Sequence, residues 1–146
     1  MYIKNNNNNY YRFGASNMKK YSHKREAILR AIQDTDTHPS ASWVYERLKP
    51  EFPDLSLATV YRNIAEFVKE GLIVSVGNVN GLERYDARVH PHTHFICNCC
   101  GAVYDLCDYD DGIVDSAVTD QTGFCVERHE LIFKGLCNKC SAEKVG

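Results

Sequence analysis

Two cysteine pairs, Cys97-Asn98-Cys99-Cys100 and Cys137-Asn138-Lys139-Cys140, have the C-x-x-C spacing that turns two sulfurs toward one metal ion. The pairs are separated by 36 residues. Four thiolates at about 2.3 Å form a closed tetrahedral zinc site, with no open position for a substrate, so its chemistry is structural. A second group of donors lies around the first pair. His90, His92 and His94 alternate along one stretch, which puts them on one side of a strand. Asp86 precedes them, Asp105 follows the first cysteine pair, and His38 lies far upstream. Three imidazoles and two carboxylates from this group suit Fe(II), Mn(II) or Zn(II) and do not choose among them. Each histidine alone reads as an ordinary helix-edge or solvent-facing residue; the crowding beside a zinc knuckle is what gives the set meaning. Cys99, Cys107 and Cys125 fall outside the paired spacing and are expected to be packed thiols.

The elements that must position these donors follow from periodicity. In HKREAILRAIQ, Ala27, Ile28, Ala31 and Ile32 share a helical face. His38-Pro39 ends that region, because proline disfavours helix at the residue before it. Ser40 is placed to cap a second helix with Val44, Tyr45 and Leu48 on one face. Ser56 is placed to cap a third, in which Leu57, Val60, Tyr61, Ile64, Phe67 and Val68 follow helical spacing until Gly71. LIVSVGN and GLERYDA then read as two strands around an Asn80-Gly81 turn. Three helices and a β-hairpin are the layout of a winged helix-turn-helix.

Beyond His90, HTHFIC and AVYDL read as strands flanking the first knuckle. Residues 109–122 read as a helix with Ile113, Val114, Ala117 and Val118 on one face, while FCVERHELIFKGLC alternates and ends as a strand before the last cysteine pair. The fold expected is therefore α+β: a winged helix-turn-helix DNA-binding domain over 21–88, then a small α/β dimerisation domain over 89–146 that holds the four-cysteine zinc site. Residues 1–20, with five consecutive asparagines, are expected to form a flexible arm.

Composition fits this division. The formal net charge of −2 conceals an asymmetry: residues 1–89 carry 13 Lys and Arg against 10 Asp and Glu, while residues 90–146 carry 4 against 9. A basic half beside an acidic half points to two domains with different work. Seven cysteines in a chain that opens without a signal-peptide core point to metal ligands rather than disulfides, and to the cytoplasm. No apolar run approaches the roughly 18 residues of a membrane span, so no membrane partner is expected.

THPSASWVYERL, LSLATVYRNIAEFVKEGLI, RYD, HPHTHFICNCCGAVYDL and GLCNKC follow one another between about residue 21 and residue 140. Together they resemble the successive signatures of the ferric uptake regulator family. That resemblance implies a metal-dependent transcriptional repressor, a homodimer on a palindromic double-stranded DNA operator, and not an enzyme. It implies structural zinc at Cys97, Cys100, Cys137 and Cys140, and a regulatory Fe(II) or Mn(II) site at His38, Asp86, His92, His94 and Asp105. Aspartate at Asp86 and Asp105, where many iron-sensing members have glutamate, resembles the peroxide-responsive members. In those, iron-catalysed oxidation of ligand histidines, here matching His38 and His92, releases the DNA. A second metal site known in some iron sensors would need an acidic residue where Thr93 stands, although His129 matches one of its parts. In the third helix, Thr59, Tyr61, Arg62 and Asn63 lie where a recognition helix reaches bases and phosphates. Tyr61 also lies on the apolar face and serves equally to complete the core. Lys19, Lys20, Lys24 and Arg25 are placed to meet phosphate or to form a solvated helix face.

Three other readings stand beside this one. An iron- or zinc-level-responsive repressor of the same family would lack the peroxide chemistry. A mononuclear metal hydrolase or peroxidase using His92 and His94 would need an open coordination position and a substrate pocket. A zinc-ribbon interaction module would have no use for the TVYR helix.

Overall fold

Two serines start two of the helices. Ser40 Oγ accepts a hydrogen bond from Trp43 N at 3.2 Å, and Ser56 Oγ accepts one from Thr59 N at 3.1 Å. Each cap satisfies an amide the helix cannot, worth about 1 kcal/mol. The structure is a computed structural model and describes residues 2–4, 10–12, 23–107 and 112–144, the first two stretches as backbone alone. It divides into two compact units, Met1–His90 and Pro91–Gly146.

In the first unit a strand pair, β1 (Tyr2–Lys4) and β2 (Tyr10–Arg12), precedes α1 (His23–Gln33), α2 (Ala41–Leu48) and α3 (Leu57–Lys69). The hairpin β3 (Val74–Val79) and β4 (Leu82–Asp86) follows. Ile28 and Ile32 of α1, Val44 of α2, and Val60, Ile64 and Phe67 of α3 are all but inaccessible to solvent, together with Leu55 and Ile73. Burying each contributes about 1.5–3 kcal/mol before conformational entropy is set against it. The apolar stripe of α3 is narrower than its sequence predicts. Leu57, Tyr61 and Val68 are exposed, so Tyr61 does not complete the core. Only the side carrying Val60, Ile64 and Phe67 is covered by the cluster of buried residues.

Helix α3 ends where glycine permits it. Gly71 has φ 70°, its N–H donates to Val68 O, and Leu72 N donates to Phe67 O, the paired bonds of a Schellman cap. Asn80 and Gly81, with φ of 54° and 84°, turn β3 into β4, as a tight hairpin requires.

Within the stretch expected to form a flexible arm, Tyr2–Lys4 pairs antiparallel with Tyr10–Arg12. Tyr2 and Ile3 before the asparagine tract and Tyr10 and Tyr11 after it favour extended backbone. The tract itself and residues 13–22, Lys19 and Lys20 included, lie outside the described residues.

The second unit holds a three-stranded sheet ordered β6-β5-β7. Strand β5 (Thr93–Cys97) pairs antiparallel with β6 (Val103–Leu106) and parallel with β7 (Ile132–Gly135). Helices α4 (Gly112–Thr122) and α5 (Asn138–Lys144) complete it. The alternating stretch ends as a strand where its pattern predicts one, at Ile132–Gly135 before the last cysteine pair. Its partner β5 has five residues, and the β7 register runs from His94–Ile132 to Cys97–Gly135, with His94 N donating to Leu131 O at 3.2 Å just before it. Helix α4 forms as its periodicity predicts, yet none of its residues is buried, and Ile113 is 74% exposed. Cys99, Cys107 and Cys125 are also exposed rather than packed. Small apolar residues are buried only where a neighbouring element covers them, and the described residues leave these three exposed. No helix among the described residues is long and apolar enough to cross a membrane. The α+β architecture is the expected one: a helix-turn-helix-like region with its hairpin, followed by a small mixed domain containing the cysteine cluster.

Candidate metal centres

The four paired cysteines come together within the second unit. Cys97 ends β5, Cys100 sits in the turn toward β6, Cys137 precedes α5, and Cys140 lies in its first turn. All four sulfurs lie within 4.8 Å of one another, and Cys100 Sγ is 3.9 Å from Cys137 Sγ. Tetrahedral coordination with zinc–sulfur bonds of about 2.3 Å requires sulfurs about 3.8 Å apart, so the donor set fits that ion. The backbone is shaped for it. Cys97 N bonds Ala102 O and Gly101 N bonds Cys97 O, both at 2.9 Å, with Gly101 at φ 70° closing the knuckle. Cys137 N donates to Cys97 Sγ at 3.3 Å. Backbone amides at Cys100 and then Cys137 pull the Cys97 thiol down to about 6, toward the thiolate form that a metal takes. Hydrogen bonding from the Cys137 sulfur pushes Cys140 the other way: four crowded sulfurs do not all ionise without a cation among them.

The second unit also forms a His/Asp cluster. His94 and Asp105 are paired across the β5-β6 ladder, and His92 lies just before β5. His92 Nε2 is 2.9 Å and His94 Nε2 is 3.3 Å from the same Asp105 Oδ1. The two rings stand 4.2 Å apart between centroids. Two imidazole nitrogens and a carboxylate oxygen converging on one point are the ligand types of a divalent transition metal. His90, the third histidine of the run, lies outside the strand and is exposed.

The first unit pairs His38 with Asp86. His38 Nε2 lies 3.4 Å from Asp86 Oδ2, and His38 is only 3% exposed. Asp86 Oδ1 accepts a bond from Arg88 N at 2.8 Å, which fixes the carboxylate plane. His38 has a left-handed backbone, φ 51°, a conformation costing a side-chain-bearing residue about 1–2 kcal/mol. The Arg84 side chain donates to the carbonyls of Thr37 and His38. The sequence reading missed Arg84. Its signal was there: Arg84 and Asp86 stand two apart on one strand and so share a face. Asp115 was missed too; its Oδ1 is 2.6 Å from His129 Nδ1.

Along α3, Tyr61 and Arg62 face solvent. Thr59 Oγ1 takes a bond from Arg62 Nη2 at 3.2 Å and shares one with Ser56 Oγ at 2.8 Å. Asn63 is engaged internally: Nδ2 donates to Thr59 O at 2.8 Å, and Oδ1 accepts from Arg25 Nη1 at 3.4 Å. Arg25 also forks onto Glu70 at 2.8 Å and stacks over Phe67, while Lys24 pairs with Asp54. Neither cation forms the freely solvated helix face.

Comparison with known proteins agrees with this geometry. The sequence pattern of the Ferric uptake regulator family matches residues 16–134. The peroxide-responsive repressor PerR of Staphylococcus aureus (strain USA300) is 32% identical over 117 residues, which is 80% of this chain and 79% of that protein. Among solved structures, the Campylobacter jejuni peroxide stress regulator superposes with a TM-score of 0.67 at 28% identity, covering 83% of this chain and 91% of that one. The iron-containing ferric uptake regulator of Francisella tularensis gives 0.73 at 25% identity, covering 88% and 99%. With four thiols at zinc spacing, a His/Asp cluster beside them and the family pattern over most of its length, the chain belongs to the ferric uptake regulator family.

Proposed function

We propose that this protein is a metal-dependent, DNA-binding repressor that senses hydrogen peroxide and then releases its operator. The observation that carries the proposal is the convergence of His92 and His94 on one oxygen of Asp105. A short aspartate, rather than a glutamate, faces two oxidisable rings there. In this reading His38 and Asp86 of the first unit and His92, His94 and Asp105 of the second are ligands of one regulatory ion. Zinc is held by Cys97, Cys100, Cys137 and Cys140. The relatives named for peroxide response support this choice over simple metal-level sensing. The likeness to the iron-containing Francisella regulator keeps an iron-level repressor as the second reading. Regulators of this family are not enzymes, so the chemistry is a single event per site rather than turnover.

Ligands drawn from both units make the ion a clamp. Metal and DNA then favour one arrangement of the DNA-binding half, and each must raise the affinity for the other. Tyr61 and Arg62 are the exposed side chains of α3 offered to the major groove. Thr59 acts on them indirectly by orienting the Arg62 guanidinium, and Asn63 ties α3 to α1. Two copies on a palindrome supply two recognition helices. The apolar surface of the second unit, Ile113, Val118 and Phe124, is suited to a homodimer contact.

Ferrous ion held by His38, Asp86, His92, His94 and Asp105 would supply the reducing equivalent that activates hydrogen peroxide. Net, a ring carbon of His38 or His92 exchanges C–H for an oxo group, gaining one oxygen, and the peroxide is reduced to water. An oxidised ring is a poorer donor, so the clamp opens. Peptide mass spectrometry of anaerobically prepared protein tests this. Gain of one oxygen on the peptides bearing His38 or His92, with iron and not with manganese, is expected. Unmodified histidines in the iron sample would transfer the assignment to a metal-level repressor.

A further inference from the structure

The ligands assigned above are held in unlike ways. His94 and Asp105 are fixed by a strand ladder. His38 lies in the segment between α1 and α2, outside any helix or strand, with a left-handed backbone. What holds that segment is β4. Tyr85 N donates to Pro39 O at 3.1 Å. From the same strand, Arg84 Nη2 donates to Thr37 O at 2.9 Å and Arg84 Nε to His38 O.

Those two carbonyls belong to the two peptide planes that flank the His38 Cα. Fixing both planes fixes φ and ψ of His38, and hence the direction of its Cβ and the arc its imidazole can sweep. The guanidinium is suited to this because its Nε and Nη2 donors are rigidly coplanar, which a lysine ammonium cannot reproduce. Burial works against the Arg84 charge and lowers its pKa; the carbonyl contacts offset that desolvation.

We propose that Arg84 is the positioning residue for the metal ligand His38: by gripping the Thr37 and His38 carbonyls it sets the imidazole beside Asp86, two residues along its own strand. The inference rests on the assignment of His38 and Asp86 as ligands. It makes β4 both a source of one ligand and the support of the other. Because β4 is a strand of the wing hairpin, ion occupancy is thereby tied to the wing within the first unit.

The test is Mn(II) binding by calorimetry on full-length, zinc-loaded protein, comparing wild type with His38→Ala, Arg84→Met, Arg84→Lys and the His38→Ala/Arg84→Met double variant. Loss of an outer partner of a metal ligand typically weakens metal binding about 10–100-fold. Arg84→Met is expected to weaken Mn(II) by about tenfold or more at unchanged zinc content, with Arg84→Lys restoring only part of it. Because Arg84 acts through His38, the double variant is expected to bind no more weakly than His38→Ala alone. Unchanged Mn(II) affinity in Arg84→Met, or a full further loss in the double variant, overturns the positioning role. Wild-type affinity in His38→Ala would reject the ligand assignment itself, and this proposal with it. A weakened His38→Ala beside an unaffected Arg84→Met rejects the proposal alone. If Arg84→Met loses its helical signal, Arg84→Lys in both backgrounds decides the same question.

Discussion

The cysteine site and the His/Asp ligands solve the problem of holding a metal in opposite ways. The four sulfurs belong to one unit, come from two tight turns, and are met by backbone amides, with Cys97 buried and already drawn toward its ionised form. The histidines and aspartates proposed as regulatory ligands are divided: three are on or beside the sheet of the second unit, and two are in the first, one of them on a left-handed loop residue. A site closed within one unit gains its ion together with its fold and has little reason to release it. In the proposed reading, a set whose ligands are split between two stretches of fold leaves occupancy open to report on the ion and on what happens to the ligands. Under the proposed function, the contrast teaches how one protein would keep a permanent metal and an exchangeable one.

The hardest way to break that contrast is Cys140→Ser. Structural zinc in small domains contributes about 10–16 kcal/mol of apparent binding free energy. Zinc content is therefore expected to fall to near zero, and the sheet signals of the second unit in NMR to collapse, while α1–α3 persist. Retained zinc in this variant would show that three thiolates suffice. Next comes Phe67→Ala, which opens a cavity in the first unit and is expected to cost about 3–5 kcal/mol. Denaturant titration should show that loss with one zinc per chain still bound; zinc loss in parallel would mean the units do not hold their structure separately. Asp105→Asn sharpens the comparison from the other side. It removes the charge that His92 and His94 share, and is expected to weaken Mn(II) by about tenfold or more while sparing zinc. Equal loss of both metals, read by elemental analysis and calorimetry, would merge the two sites into one system. The smallest effect is Ser56→Ala, which removes the α3 cap at a cost of about 1 kcal/mol. It should also free Thr59 and loosen Arg62, so operator affinity should fall at unchanged metal affinity.

The sequence made the cysteine site and most of the first unit legible. Cap residues, helical period and the Asn80-Gly81 turn are local signals, and local physics decided those elements. The apolar face of α3 was overread because periodicity cannot say how wide a stripe the neighbouring helices cover; Leu57, Tyr61 and Val68 stayed in solvent. Burial of Cys99, Cys107 and Cys125 was inferred from residue type, which carries no information about cover. The alternating stretch is strand only at its end, where β5 pairs with it, and pairing is not a property of one segment.

By itself, then, the chain's order determined which donors exist, their spacing, and the turns and caps that bring near neighbours together. C-x-x-C spacing fixes two sulfurs at short range with little conformational search. Tertiary structure alone decided the rest: that Asp105 lies opposite His94, and that Arg84 reaches back to the loop of His38. Such contacts are made by packing and strand pairing, whose energy comes from surfaces removed from water together, and no single stretch of sequence carries that information.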